Sequence, residues 1–375
     1  MIYLDHNAST PIAPQVREAM LPFLAEHHGN PSSAHWAGAP AAQAVADARE
    51  QLAALLGCSP HEVVFTSGGT EANNTALKGV VEAAGAERPH IVTTAVEHPA
   101  IVEPCRYLER HGVDVTVVGV DATGLVDPDD IAAAIRPETV LVSVMHANNE
   151  VGTVEPIAEI SRITREAGVL LHSDAAQSVG KVPTRVDDLG VDLLSVAAHK
   201  FYGPKGVGAL YVREGTRLEP FMHGAGHEDG RRAGTENVLL DVALGAAAEL
   251  AGDLAWTLGV RDLRDWLWLQ LQDRWGERVV LNGHPTARLP NTLNVSFLGR
   301  DGRAVLAAMP EVAASTGSAC HSGGTEPSPV LAAMGVPREV GAGAIRLSLG
   351  RKTTRAELET LLERLAEVLS DGGER

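Results

Sequence analysis

The sequence of 375 residues is poor in cysteine, lysine and aromatic residues. Its three cysteines, at positions 58, 105 and 320, are an odd number and belong to no CxxC pair or Cys/His cluster. We therefore expect no disulfide framework and no metal site, and a reduced, intracellular protein. Only 5 of the 31 basic residues are lysines, so the position of each lysine is informative.

Basic runs and long apolar segments are also missing. Asp+Glu at 48 against Lys+Arg at 31 leaves a formal net charge of −17, which disfavours direct binding to nucleic acid. The longest apolar stretch, residues 239–256, contains three acidic residues, whereas a membrane span needs about 20 apolar residues. The N-terminus shows no signal-peptide pattern. We expect a cytoplasmic protein without a membrane span.

What the sequence does contain is an alternation of short apolar runs with helical segments. Apolar runs of this kind are buried on both faces, and their alternation with helices of about a dozen residues favours a mostly parallel sheet. Only a Gly/Pro-rich loop separates the last two runs, which predicts an antiparallel pair. The predicted strands are residues 63–66, 91–94, 115–118, 140–146, 169–172, 193–196 and 208–212.

The pattern changes after residue 234. Helices are predicted over residues 235–255, 260–275 and 354–369, with short strands near 291–297 and 344–349. The sequence therefore predicts an α/β fold with two domains. The large domain comprises residues 13–255, and a smaller α+β domain is formed by residues 1–12 and 256–375.

The predicted strands of the large domain end in residues that could do chemistry, and ligands of open α/β sheets bind at those ends. Gly69 and Thr70 open a helix that could hold a phosphate, or form an ordinary turn. His98 is either structural or a flat ring beside a ligand, and Asp174 is either a helix cap or the partner of a cationic ring nitrogen. Lys200 lies in a Gly/Pro-bounded turn. This combination is what pyridoxal 5'-phosphate (PLP) requires.

A cysteine near the end of the chain lies in a run of small residues. Cys320 falls within residues 315–324, a Gly- and Ser-rich segment that predicts an exposed loop. A thiol in such a loop is suited to nucleophilic chemistry, although it could also be incidental. Cys58 and Cys105 are interpreted as structural.

These motifs together resemble the cysteine desulfurases, PLP enzymes of the class V aminotransferase group with the fold-type-I architecture. The resemblance implies conversion of L-cysteine to L-alanine, with sulfur carried as a persulfide on Cys320 to an acceptor protein, and a homodimer. The cysteine loop has the longer form typical of the group that supplies iron–sulfur assembly. The resemblance is carried by residues 3–11, 29–33, 65–74, 97–98, 148–150, 174, 177, 199–206, 234–237, 317–320 and 345–351.

The resemblance also implies which residues hold the cofactor. Lys200 would form the Schiff base with PLP and later remove the substrate's α-proton. Gly69, Thr70 and His199 would hold the phosphate, and Thr235 would reach in from a second subunit.

The remaining implied roles concern the cofactor ring and the substrate. Asp174 would pair with the pyridinium nitrogen, Gln177 would bond the phenolic oxygen, and His98 would stack on the ring and shuttle protons. Asn149, which also borders the cofactor, and Arg346 would bind the substrate. A guanidinium fork can clamp a carboxylate through two hydrogen bonds.

One position departs from this pattern. Many relatives place a serine three residues before the lysine as a phosphate ligand, and this chain has Ala197. The missing hydrogen bond to a charged acceptor is worth about 1.5–3 kcal/mol. Residues 199–204 and 319–322 also resemble selenocysteine lyase, which likewise lacks that serine.

Three alternatives therefore stay open. The first is selenocysteine lyase, and the second is an aminotransferase or C–S lyase in which Cys320 is incidental. The third is a sulfur-relay scaffold that has lost PLP, against which the intact Lys200 argues.

Overall fold

The computed structural model describes residues 1–316 and 328–370, and this part of the chain contains twelve strands and thirteen α-helices. The strands are β1 (Ile2–Tyr3), β2 (Val63–Thr66), β3 (His90–Thr94), β4 (Asp114–Val118), β5 (Thr139–Ser143), β6 (Leu170–Asp174), β7 (Leu193–Ala197), β8 (Gly208–Val212), β9 (Val279–Asn282), β10 (Thr292–Phe297), β11 (Val312–Ala313) and β12 (Ala344–Ser348). The helices are α1 (Pro14–Ala25), α2 (Ala39–Leu56), α3 (Gly69–Ala84), α4 (Pro99–Glu109), α5 (Pro128–Ala134), α6 (Ile157–Ala167), α7 (Val186–Leu189), α8 (Val238–Gly252), α9 (Ala255–Trp275), α10 (Gly302–Ala307), α11 (Pro329–Ala333), α12 (Arg338–Gly341) and α13 (Arg355–Ser370).

The largest sheet has seven strands in the order β2-β8-β7-β6-β5-β3-β4. Strands β4, β3, β5, β6 and β7 pair in parallel, whereas β8 runs antiparallel to both of its neighbours. The predicted mostly parallel α/β fold is confirmed, and so is the antiparallel pair at its end. Parallel strands need long crossover connections, which are usually helical, and α4, α5, α6 and α7 lie in the intervals between β3, β4, β5, β6 and β7.

Helices cover both faces of this sheet, which explains the apolar runs in the sequence. Successive side chains of a strand point to opposite faces. In β2, Val63 and Phe65 join the core beneath α2 and α8, while Val64 joins the core beneath α3 and α4. All four residues of β2 are therefore buried, and the strand shows no polar alternation.

A second, smaller sheet follows in the chain. Strands β9, β10 and β12 form an antiparallel sheet, and β1 pairs in parallel with β11. Residues of β10, β12, α9 and α13 share one apolar cluster there. A bridge between Asp5 and Ser348 places the N-terminal segment beside β12. The boundaries of the two proposed domains stay a prediction.

The structure corrects two predicted helices. Helix α8 begins at Val238 and not at residue 235, because the Asn237 side chain caps it by accepting the Leu240 N–H. Helix α9 begins at Ala255, before the predicted start at residue 260. In residues 1–316 and 328–370, no helix is long and apolar enough to span a membrane.

The burial of α2 predicts a stability effect. Leu52 is fully buried and Leu24 is 66% exposed. Leu52→Ala should lower the free energy of unfolding in urea by about 2–5 kcal/mol, because it removes buried methyl groups and leaves a cavity. Leu24→Ala is the matched control and should change it by less than about 0.5 kcal/mol. Equal effects of the two variants would contradict this packing.

Candidate active site

The carboxyl ends of the central strands open into a cavity of about 370 Å³. Neighbouring parallel strands end at one edge of a sheet, so the segments that follow them meet there. The cavity brings together most of the site residues expected from the sequence. Among its lining residues are Gly69, Thr70, His98, Asn149, Asp174, Gln177, Ala197, His199, Lys200 and Arg346.

One end of the cavity is suited to an anion. Helix α3 begins at Gly69, and Gly68 before it has φ 145°, a conformation that a side chain would disfavour. The first N–H groups of a helix have no partners within it and attract negative charge. A Cβ atom on Gly69 would lie 3.3 Å from the Cβ of Ala197, so the space is narrow there.

A carboxylate lies at the end of β6. Asp174 is only 6% exposed, and both of its oxygens accept hydrogen bonds. Oδ2 accepts from Asn73 Nδ2 at 2.7 Å, and Oδ1 accepts from the N–H of Ala176 at 2.9 Å. These donors hold an anion suited to a cationic ring nitrogen. Sequence reasoning assigned no role to Asn73, although it belongs to the segment of residues 65–74 that carries the family resemblance.

A histidine ring borders the same cavity. His98 is the N-cap of α4, and its Nδ1 accepts the N–H of Ala100 at 3.1 Å. Burial lowers the pKa of His98; the Asp174 charge opposes this effect and the Lys200 charge adds to it. With Nδ1 acting as an acceptor, the neutral ring carries its proton on Nε2.

The lysine in the turn after β7 contacts the N-terminal segment. Lys200 Nζ donates to the carbonyl oxygens of Asn7 at 2.7 Å and Ala8 at 3.0 Å. Burial and the nearby Arg346 cation lower the pKa of Lys200 to about 8, although nearby carboxylates oppose this shift. Gln177 Nε2 also donates to the Asn7 oxygen, at 2.9 Å. The role of Asn7 escaped sequence reasoning.

The guanidinium of Arg346, on β12, makes two polar contacts in the structure. Its Nη2 pairs with Asp5 Oδ1 at 2.6 Å and its Nη1 donates to the carbonyl oxygen of Asn149 at 2.9 Å. Its Nε is buried and has no hydrogen-bond partner among the described residues. A guanidinium held in this way is suited to binding a carboxylate, which would replace one of these two partners. Asp5 belongs to a quoted N-terminal motif but received no role.

The remaining residues expected in the site are placed differently. His199 lies in the cavity with Nδ1 3.4 Å from Ser9 Oγ, and burial and nearby lysines lower its pKa to about 4. Thr235 is exposed and does not line the cavity. Cys320 lies outside the described residues, although Ser315, just before that gap, lines the cavity.

The thiols of the other two cysteines are poorly nucleophilic. Burial raises the pKa of both Cys58 and Cys105 to about 12, with nearby acids adding to the effect. Since the thiolate is the nucleophilic form, neither thiol is suited to catalysis. Within the described ranges, 1–316 and 328–370, no group of three or more His, Cys, Asp and Glu side chains could hold a metal ion.

Known proteins resemble this chain over nearly its whole length. Residues 2–361 match the family described as aminotransferase class-V. A cysteine desulfurase IscS from Dictyoglomus turgidum is 48% identical over 373 residues, covering 98% of this chain and 94% of that protein. The chain belongs to the cysteine desulfurase family. The family resemblance expected from the sequence is thereby confirmed.

Two solved structures extend this result to the fold of the cysteine desulfurases. A NifS-like protein superposes with a TM-score of 0.92 at 38% identity and covers 99% of both chains. A structure described as SspA in complex with cysteine superposes with a TM-score of 0.85 at 37% identity, covering 94% of this chain and all of that one. The predicted fold-type-I architecture is thereby confirmed.

Cysteine desulfurases are PLP-dependent enzymes of class V, and the cavity fits that cofactor. It offers free helix N–H groups for a phosphate, a carboxylate held by two donors, a neutral ring and a lysine amine. These groups are complementary to the phosphate, the ring nitrogen, the ring face and the aldehyde of PLP.

The environment of Lys200 predicts the pH dependence of its reactivity. A lowered pKa of about 8 means that the neutral amine becomes abundant as the pH rises through 8, whereas an ordinary lysine needs a pH of about 10.4. Reductive labelling of the cofactor-free protein by a small aldehyde, followed by peptide mass spectrometry, should show a midpoint near pH 8 at Lys200.

Arg346→Met is the informative control for this experiment. It removes a cation that lowers the pKa of Lys200, so the midpoint should move to higher pH. A labelling midpoint at the value of an ordinary lysine, unmoved by this variant, would refute the described environment.

Proposed function

We propose that this protein is a cysteine desulfurase that holds PLP on Lys200, converts L-cysteine to L-alanine and transfers the sulfur to Cys320. The observation that carries the proposal is the meeting of Lys200, Asp174 and Arg346 in one cavity of a chain from this family. The amine, the acid and the guanidinium are the groups needed to attach the cofactor, charge its ring nitrogen and bind an amino acid.

The proposed cofactor contacts are made by residues that line the cavity. Gly69 and Thr70 would hold the phosphate through the N–H groups at the start of α3. His199 would donate a further hydrogen bond to it. Asp174 would face the ring nitrogen and Gln177 the phenolic oxygen. When bound, PLP supplies an electron sink for the bond-breaking steps.

The chain's own groups would move the protons. With its pKa lowered to about 8, Lys200 Nζ is suited to remove the substrate's α-proton near neutral pH. The neutral His98 ring carries a proton on Nε2. It could donate this proton to a ligand in the cavity. Arg346 and Asn149 would hold the substrate carboxylate and so place its α-carbon beside Nζ.

The sulfur step needs a nucleophile, for which we propose Cys320. Its thiolate sulfur would bond to the substrate sulfur while the substrate's C–S bond breaks and the carbon keeps the electron pair. A proton on that carbon completes alanine, and the enzyme keeps one extra sulfur as a persulfide. Ser315 lines the cavity, and the extended chain from there to Cys320 can span about 17 Å.

We further propose a homodimer and a protein acceptor for the sulfur. Thr235 is exposed in the single chain, where it is available to the cofactor phosphate of a second subunit. A net charge of −17 disfavours direct delivery to nucleic acid, so the acceptor would be a protein, and supply of iron–sulfur assembly is the proposed purpose. The cytoplasmic location stays a prediction.

Replacing the proposed nucleophile tests this function. Cys320→Ser should abolish sulfide release from L-cysteine in the presence of a reductant, because a hydroxyl cannot accept the sulfur. Cys58→Ser is the control, since burial leaves that thiol unreactive. Mass spectrometry after cysteine addition should find one extra sulfur on Cys320 of the wild-type protein. Wild-type desulfurase rates in Cys320→Ser would refute the assignment.

The same assay separates the rival activities. If the protein is a desulfurase, alanine is the product and L-cysteine is turned over through Cys320. A large preference for selenocysteine that survives Cys320→Ser would favour selenocysteine lyase, and a keto-acid product would favour an aminotransferase or C–S lyase.

The position of Arg346 in the cavity predicts the effect of its replacement on substrate binding. Arg346→Lys should raise the KM for L-cysteine about 10- to 100-fold with a smaller change in kcat, because loss of a charge-assisted hydrogen bond is worth about 1.5–3 kcal/mol. Arg261→Lys on the exposed face of α9 is the matched control and should match the wild type. An unchanged KM in Arg346→Lys would exclude this residue from substrate binding.

A further inference from the structure

A second buried lysine lies behind the proposed active site. Lys181 ends the turn that follows β6, and only 4% of it is exposed. Burial, with the nearby Lys200 and Arg346 cations, lowers its pKa well below the ordinary value. Lysines are almost never fully buried unless they have a partner, and the proposed reaction gives this amine no task.

The amine has one hydrogen-bond partner among the described residues, and it belongs to the site. Lys181 Nζ donates to Gln177 Oε1 at 2.9 Å, and Gln177 Nε2 donates to the carbonyl oxygen of Asn7 at 2.9 Å. The same oxygen accepts from Lys200 Nζ at 2.7 Å. One continuous set of hydrogen bonds therefore joins the buried amine to the proposed catalytic amine.

The backbone between the two residues is closely packed. Gly180 has φ 72°, and a Cβ atom there would lie 3.0 Å from the Cβ of Ala251. Gln177 and Lys181 are four residues apart on this turn, so their side chains can meet. The turn thus brings the amine within hydrogen-bonding distance of the amide.

The contact decides which way the amide faces. A glutamine amide has an acceptor oxygen and a donor nitrogen at nearly equal positions. An amine offers hydrogen-bond donors in its charged form and keeps N–H groups when neutral. With Lys181 on one side, Gln177 must turn its oxygen toward the amine, which leaves Nε2 to face the site. The opposite orientation would set Oε1 against the carbonyl oxygen of Asn7, acceptor against acceptor, and would lose the hydrogen bond that the amine donates.

Lys181 does not belong to the main cavity. It lines a separate, much smaller one, with His6, Tyr202 and Trp256 among its neighbours, whereas Gln177 lines the main cavity. The hydrogen bonds that join Lys181 to the main cavity therefore pass through Gln177.

We propose that Lys181 is a positioning residue that fixes the Gln177 amide with its N–H group toward the phenolic oxygen of PLP. This inference rests on the proposed function. Its consequence is that removal of the amine weakens cofactor binding only as long as Gln177 is present.

A double-mutant cycle measures this dependence directly. Cofactor-free wild-type protein, Lys181→Met, Gln177→Leu and the double variant are each titrated with PLP, and binding is followed by the visible absorbance of the complex. Lys181→Met should weaken binding about tenfold and shift the absorbance maximum, because one hydrogen bond to a charged acceptor is lost. In the Gln177→Leu background the same substitution should have an effect of less than about twofold.

The possible outcomes are distinct. Unchanged PLP affinity in Lys181→Met, or an equal loss in both backgrounds, overturns the inference. If the wild type binds no PLP, the proposed function itself fails. Methionine has nearly the volume of lysine and needs no desolvation, so the variant should fold. If it does not, Lys181→Gln retains a neutral donor and should keep PLP affinity within about threefold. A loss as large as that of Gln177→Leu would then overturn the inference.

Discussion

The carbonyl oxygen of Asn7 is the contact on which the site depends. It accepts from Lys200 Nζ and from Gln177 Nε2, while the Asn7 side chain donates to the carbonyl oxygen of Asn149 and to Thr292 Oγ1. One residue of the N-terminal segment therefore joins the turns that follow three strands of the large sheet to a strand of the small one. A displacement of this segment would alter the surroundings of the amine, the amide and the substrate-binding loop together.

The geometry of a parallel sheet explains how much of the site could be predicted. Gly69 and Lys200 follow a strand and Asp174 ends one, and residues at the carboxyl ends of such strands meet at one edge whatever their distance in sequence. Their partners could not be found in this way. Asp5 meets Arg346 across 341 positions and Asn73 meets Asp174 across 101, and no periodicity encodes contacts of that range.

The helix boundaries show a different limit. Helix α8 begins three residues after the predicted start at residue 235, because the side chain of Asn237 caps it by accepting the Leu240 N–H. Helices α1 and α2 were not predicted, because Pro22 lies inside the first and the 8 alanines among the 18 residues of the second weaken its apolar periodicity. The strands could be located in the sequence because burial on both faces makes them continuous apolar runs. The helix ends depend on local hydrogen bonds, which a hydrophobic pattern does not show.

The ion pair between Arg346 and Asp5 also affects which molecules the cavity admits. With its charge balanced by a carboxylate at 2.6 Å, the guanidinium is a weak attractor for chloride or inorganic phosphate. A lone anion that displaces Asp5 leaves a bare carboxylate in a poorly solvated place, which is costly. In the proposed reaction, the carboxylate of an amino acid substrate would replace Asp5 as the partner of the guanidinium, while its amino group goes to the cofactor. The resting ion pair would thus keep the guanidinium charge compensated until a substrate carboxylate takes the place of Asp5.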